Sequence, residues 1–433
     1  MRSIKLLDFF VNVYYFLLKN KLLVIVIIVG SFLRLFQLSN NPPSVFTDEL
    51  NPWVGTYDYL IGYGPFYTQN KPLISILQGV LFGQFASLYL LGPSTLAIRL
   101  PGAIYGIALI PMTYILTKRL FGEKIALLSA FLLSISPEGV LSSRVFYMQQ
   151  TYDSVLFITL AVYLYITGVL NKKFSSTRIL LSIILFNVII FGYFNAKGPF
   201  EAYVLLSFLT FLAVLQLKGS IGNKFKILYV ILVPLVTYTF FSLIVDPILF
   251  KGSTPVTGLF YSSANIFIMK GIYAFYPFLI RYIEYFNPVF LFIQGGPNPS
   301  TGVQVSGVLL YPSLLFFYLG ICVTIYESIF KRGKKGPYLL VLIWILITPI
   351  QAAAYLYAYT PSNESVEFFN PMAEVVCALG VFQLYAIINK KKNLFVKKAR
   401  VLSCYRSHKP HIIAFKNFLI TIIVIYFSIT VFL

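Results

Sequence analysis

Two adjacent carboxylates, Asp48 and Glu49 in FTDELNPW, follow an apolar run that ends near Leu38. The chain has only 14 acids among 433 residues, so the pair asks for a reason. At a bilayer boundary, partial desolvation and a neighbouring acid raise a carboxyl's proton affinity, which suits a general base. The plainer reading is a solvated loop acid or a helix N-cap, because Asp48 precedes ELNPWVGTYDYL and Asp is favoured at that position. Both readings stay open on these residues alone. Isolated cations follow: Lys71 in QNKPL, Arg99 in AIRLPG, Arg144 in LSSRVFYMQQ, Lys197 in FNAKGPF and Arg281 in IRYIEYFNP. Singly, each reads as an interface residue that lays its stem along lipid. As a set they suit a phosphate at a lipid boundary.

Whether these groups meet depends on the elements that carry them. The chain is 58% hydrophobic and 11% charged, with a mean hydropathy of +0.81. No soluble core absorbs that much apolar surface, so the expected class is an all-α polytopic membrane protein. Apolar runs at 22–38, 101–117, 124–140, 153–170, 179–194, 200–217, 227–245, 307–326, 337–354, 371–388 and 411–432 predict about 11 transmembrane helices. The first is read as a retained span rather than a removed signal peptide, because no small-residue cleavage signature follows it. One transmembrane domain over 1–433 is expected, with outer loops at 39–100 and 246–306. The first of these loops contains PLISILQGVLFGQFASLYLLG, read as an amphipathic or re-entrant helix on the outer face.

Charge orients the helices. With the N-terminus inside, the segments 1–21, 118–124, 171–178, 218–226, 327–336 and 389–416 carry 26 of the 34 Lys and Arg residues. Their only acids are Asp8, Glu123 and Glu327. This is the positive-inside pattern, and it assigns the net charge of +20 to topology and membrane lipids rather than to nucleic acid. Asp48, Glu49 and the isolated cations then share the outer side. A cation there runs against the charge rule, and a buried anionic partner is one reason for it.

Other chemistries find little support. Cys322, Cys377 and Cys404 have no disulfide or metal-ligand spacing. His408 and His411 lie in the basic inner segment and read as surface residues. No Ser-His-Asp arrangement, phosphate-binding Gly loop or Asp-x-Asp metal motif stands out. No cofactor is called for, although a divalent metal stays compatible with the pattern.

Four elements in order resemble the type C superfamily of polyprenyl-phosphate-sugar-dependent glycosyltransferases, in the group related to protein O-mannosyltransferases and the lipid A aminoarabinose transferase. Arg34 in FLRLFQL precedes TDEL. NKPLISILQGVLFG is similar to that family's Lys-Pro stretch, and IRLPGAIYGIALIPMTYILTKRLFG to its Arg-x-Pro span. SPEGVLSSRVFYMQQTYDSVLFITLAVYLY is similar to the outer loop and span that come next. A later stretch, YFNPVFLFIQGGPNPSTG through YPSLLFFYLGI, is similar to an outer loop of some prokaryotic members. The likeness covers 30–170 and 281–321. It departs at QGGPNPS, which lacks the family's frequent Asp and Arg, and at PSNESVEFFNP, which lacks its His or Arg.

The resemblance implies a multi-pass enzyme of a prokaryotic cell membrane with its active site on the extracytoplasmic side. It would transfer a sugar from a polyprenyl- or dolichyl-phosphate donor to a protein, lipid or glycan acceptor, with inversion. Asp48 would be the base, with Glu49 placing the acceptor or raising the proton affinity of Asp48. Lys71 would meet the donor phosphate, with Arg144, Lys197 and Arg281 as further candidates. The rival is a transporter or flippase for lipid-linked sugars, which predicts repeat symmetry and broken helices near mid-membrane. A third reading is a non-catalytic membrane scaffold.

Overall fold

A computed structural model describes residues 20–43, 45, 49, 83–145, 152–170, 174–192, 198–217, 224–240, 272–296, 306–330, 335–354, 361 and 367–400. Among them there is no strand. Helix α1 (Lys21–Leu35) is followed by α2 (Gln84–Leu91), α3 (Thr95–Phe121), α4 (Glu123–Ile135), α5 (Pro137–Arg144) and α6 (Tyr152–Leu170). Then come α7 (Ser176–Gly192), α8 (Gly198–Leu217), α9 (Lys224–Phe240), α10 (Ile272–Glu284), α11 (Leu314–Phe330), α12 (Gly336–Ala354) and α13 (Met372–Arg400). Each predicted span overlaps a helix except 411–432, which lies outside the described residues, and the one predicted from 307 becomes α-helix only at Leu314. Three helices are long and apolar enough to cross a membrane, Thr95–Phe121, Tyr311–Phe330 and Met372–Asn389, and a fourth if α4 and α5 form one bent span. Helix α2, at eight residues, is too short to cross.

Prolines shape the first half, and at Pro101 the broken backbone bond finds a substitute. Helix α3 begins at Thr95, capped by the Ser94 hydroxyl, which accepts from the Ala97 amide at 3.2 Å. The expected start at 101 is therefore corrected by two turns. Pro101 lies inside the helix, where its missing N–H leaves the carbonyl of Ala97 without its usual donor. The Ser87 hydroxyl donates to that carbonyl at 2.6 Å, which fastens α2 to α3. The predicted span 124–140 is likewise two helices that meet at 56°, with Pro137 opening the second. Helices survive such breaks in a bilayer only where neighbours satisfy the freed groups.

Packing ties the first half together through α1, α3, α4, α6 and α7, and the second through α11 against α13. Helix α13 also packs on α4, so the end of the described chain returns to its beginning. The outward side of α1 carries Leu22, Ile25, Ile28 and Phe32, all exposed, as a lipid-facing helix requires. Small residues set the closest approach in the second half. A Cβ on Gly380 would overlap the Phe316 carbonyl, and one on Gly320 the Val376 carbonyl. Lipid supplies no hydrophobic drive between helices, so this contact carries much of the association of α11 with α13. Gly380→Leu is expected to destabilise the protein by about 1–3 kcal/mol through overpacking. Gly336→Ala, at a glycine with open space around it, is the control and should leave the thermal unfolding temperature in detergent unchanged.

Candidate active site at one end of the bundle

The two ends of the first three long helices differ chemically. At one, the Tyr114 hydroxyl donates to Asn20 at 3.0 Å, Lys118 donates to Tyr114 at 3.0 Å, and Lys118 pairs with Glu123 at 3.1 Å. Tyr114 is buried, while Lys118 and Glu123 are exposed groups of the basic segment 118–124. At the other end three arginines, Arg34, Arg99 and Arg144, are buried, and all three serve the backbone.

Arg34, from the last turn of α1, reaches the bend between α4 and α5. Its Nη2 donates to the carbonyls of Leu133 (3.2 Å) and Gly139 (3.0 Å), and its Nη1 to Ser134 (2.9 Å) and Gly30 (3.2 Å). The Leu133 carbonyl, which Pro137 cannot serve, also accepts the Ser136 amide at 3.4 Å. Gly106 makes the close approach possible, since a Cβ there would sit 3.0 Å from the Arg34 Nε and overlap Ser143. The guanidinium thus replaces helix hydrogen bonds at the break, at the negative end of the α4 dipole.

Arg144, from the last turn of α5, gathers the chain after α1. It donates to the carbonyls of Leu33 (2.6 Å), Phe36 (2.8 Å), Gln37 (3.3 Å) and Asn41 (2.8 Å). Arg99, from α3, continues this work. It donates to Leu38 (3.3 Å) and Pro42 (2.8 Å), and it forms a fork with Glu49 at 2.9 and 3.3 Å. Both partners of this ion pair are shielded from solvent, at 0% and 1% exposure. The segment from Phe36 to Glu49 is therefore held at both ends by helices α3 and α5.

Of the sequence-predicted site residues, Asp48, Lys71 and Lys197 lie outside the described residues. Glu49 is buried and fixed by Arg99, one residue after Asp48. Arg144 is engaged with four carbonyls, which makes it a clamp on the segment that leads to Asp48. Arg281 lies far along the chain on α10, with a long contact of 3.5 Å to the Ala353 carbonyl, and is not among the clamp residues. Among the described residues, no cluster of His, Cys, Asp or Glu is arranged to hold a metal.

Sequence reasoning passed over three buried carboxylates, Glu138, Glu367 and Glu374, each at 1–2% exposure. Glu138 accepts a hydrogen bond from Ser142 one turn on. The backbone beside Glu367 is pinned by Trp344, whose indole N–H donates to the Phe368 carbonyl at 2.7 Å. The available signal was their scarcity, because an acid inside an apolar run is costly unless it has a partner.

Residues 80–242 match the family model of dolichyl-phosphate-mannose-protein mannosyltransferases. That segment begins after Asp48 and Lys71 and contains Arg99, Arg144 and Lys197. The fold is similar to that of the apo oligosaccharyltransferase of Archaeoglobus fulgidus, with a TM-score of 0.50, 15% identity, and coverage of 92% of this chain and 54% of that one. A second structure, the Archaeoglobus fulgidus oligosaccharyltransferase AglB with an inhibitory peptide and a dolichol-phosphate, gives 0.47 at 15% identity, covering 92% and 53%. ArnT from Cupriavidus metallidurans in the apo state gives 0.34 at 13% identity, covering 88% and 77%. At 15% identity the likeness to the apo oligosaccharyltransferase speaks for the fold alone. The chain spans about half the length of the archaeal oligosaccharyltransferase chains it matches. No curated protein matches its sequence. The family-model match over 80–242 and the fold likeness to the apo oligosaccharyltransferase agree with the resemblance that the motifs carry.

Proposed function

We propose that this protein is a membrane glycosyltransferase that moves one sugar from a polyprenyl- or dolichyl-phosphate to an acceptor hydroxyl on the extracytoplasmic face, with inversion. The observation that carries the reading is the fixed segment after α1, where the Arg99–Glu49 pair holds the residue next to Asp48 inside a fold of this superfamily. The charge asymmetry of the sequence supports the outer side, and about 11 spans would enclose the site.

In this reading Asp48 accepts the proton of the acceptor hydroxyl as its oxygen attacks the anomeric carbon. The bond from that carbon to the phosphate oxygen breaks on the opposite face, so the lipid phosphate leaves with the electron pair. Glu49, held by Arg99, positions Asp48 through the backbone. Arg144 acts on the same segment through the carbonyls it binds. Lys71, Lys197 and Arg281 remain to meet charge developing on the departing phosphate. A free hydroxyl is a weak nucleophile, and a positioned base typically gives about 10²–10⁴-fold in rate.

The reading is tested by incubating the purified protein with a panel of lipid-phosphate sugars and peptide, lipid and glycan acceptors, then identifying products by mass spectrometry. A glycosylated acceptor of inverted anomeric configuration is the expected result. Hydrolysis alone, or movement of the lipid across vesicles without transfer, overturns it. In the same assay Lys71→Glu should abolish donor binding by setting an acid against the phosphate, while Lys71→Arg keeps part of it. Unchanged binding in Lys71→Glu would assign that lysine to bulk headgroups.

A further inference from the structure

The end of the bundle opposite Arg99 and Arg144 carries a basic patch that the proposed reaction does not use. Lys21 opens α1, Lys118 and Arg119 lie in the last turn of α3, and Lys124 lies in the first turn of α4; all four are exposed. Side-chain contacts bring these turns together. The buried Tyr114 hydroxyl, one turn before Lys118, donates to Asn20 at 3.0 Å, which fastens the start of α1 to the end of α3. Lys118 donates to the same hydroxyl and pairs with Glu123, so α3 and α4 are tied across Gly122. The Phe121 ring meets Tyr338 edge-on at 5.1 Å, which sets the start of α12 beside them. Lys335, just before that helix, donates to the Ile329 carbonyl at the end of α11. Cations from four parts of the chain thus gather around a single carboxylate, Glu123, which Lys118 already holds. Beside the patch α1 offers an apolar face, with Leu22, Ile25 and Ile28 exposed and Ile25 one turn from Lys21 on the same side.

We infer that this end of the bundle is a binding site for an anionic phospholipid, whose phosphate meets Lys21, Arg119 and Lys124 while an acyl chain lies along Leu22, Ile25 and Ile28 of α1. Cations just past the ends of spanning helices attract acidic headgroups, and each is worth about fivefold in affinity. Two features distinguish a site from the general pull of a basic face. The turns that carry the cations are fixed to one another by hydroxyl and ring contacts that need no lipid. An apolar face also adjoins the charges, so a lipid meets both parts at once, whereas a free phosphate meets only the cations. The charge pattern of the sequence assigns this end to the inner leaflet. The proposed donor phosphate belongs to the other end, so the inference stands apart from the proposed reaction.

Native mass spectrometry of the full chain, released from detergent, reads the affinity of the first bound lipid. Dioleoylphosphatidylglycerol is the anionic probe, dioleoylphosphatidylcholine its zwitterionic counterpart, and glycerophosphoglycerol the same headgroup without chains. The parent should bind phosphatidylglycerol at least about tenfold more tightly than phosphatidylcholine. Lys21→Gln with Lys124→Gln should lower the affinity for phosphatidylglycerol about 25-fold. Arg178→Gln with Lys224→Gln removes the same charge from exposed residues of α7 and α9, at segments the charge pattern assigns to the same side. That control should change the affinity less than about twofold, because exposed charges at a distance are screened. Tyr114→Phe keeps every charge but frees Asn20 and Lys118, and should weaken binding about threefold. All four substituted cations are exposed, so these variants should unfold at the parent's temperature. Equal losses in the two double variants would reduce the effect to general attraction and overturn the site, as would equal affinity for the two lipids. Displacement of the lipid by an equal concentration of glycerophosphoglycerol would assign the cations to a soluble phosphate ester and overturn the lipid. Parent affinity in Tyr114→Phe would overturn the fixed geometry.

Discussion

Asp48→Asn should lower turnover by roughly 10²-fold or more while donor binding stays close to that of the parent protein. The substitution keeps the size of the side chain and removes only its ability to take a proton. The neighbouring backbone is held by Arg99 through Glu49, Leu38 and Pro42, none of which depends on the Asp48 carboxylate. Folding should therefore be unaffected, and a loss of rate can be assigned to chemistry. Initial rates with the donor found by product analysis, together with donor affinity from a binding assay, separate the two quantities. Parent-like turnover in a well-folded Asp48→Asn protein would remove Asp48 from the mechanism and leave the acceptor proton to solvent.

The second large effect is expected at Arg99. Arg99→Met leaves Glu49 as an uncompensated buried acid and should cost about 3–5 kcal/mol of stability. It also frees the carbonyls of Leu38 and Pro42, which lie on the route to Asp48. The double variant Arg99→Met with Glu49→Leu replaces both charges by apolar groups and should recover most of the stability, as replacing whole buried pairs often does. Turnover should remain low in the double variant, because the fork that fixes residue 49 is still missing. Thermal unfolding in detergent reads the first quantity and initial rates the second. Recovery of both together would mean that the pair acts only on stability and does not position Asp48.

The two results separate kinds of residue that look alike in sequence. The charge pattern of the sequence assigns Arg99 and Arg144 to the side where cations are disfavoured, which makes a phosphate a reasonable partner. The need for a partner is real. The partners are backbone carbonyls and, for Arg99, also the Glu49 carboxylate, in a fold whose helices are broken by proline. For such a chain, arginine's several fixed donors suit a cluster of carbonyls as well as they suit an anion.

Local composition alone determines where most of the helices lie. Apolar runs of span length give helices wherever they occur, because an unpaired backbone group is too costly in lipid for any other local solution. That is why α1, α6, α7, α8, α9 and α12 fall where the runs predict. The departures come from contacts distant in sequence. Helix α3 starts early because Ser87 satisfies the carbonyl that Pro101 strands, and the predicted span at 124–140 bends where Arg34, a hundred residues upstream, binds carbonyls on both sides of the break. The pairing of Glu49 with Arg99 and the binding of Arg34 to carbonyls of α4 and α5 depend on helices returning to one another across the bundle. A local pattern records that a proline breaks a hydrogen bond or that a charge lies in an apolar run; which side chain answers it is set only when distant helices pack.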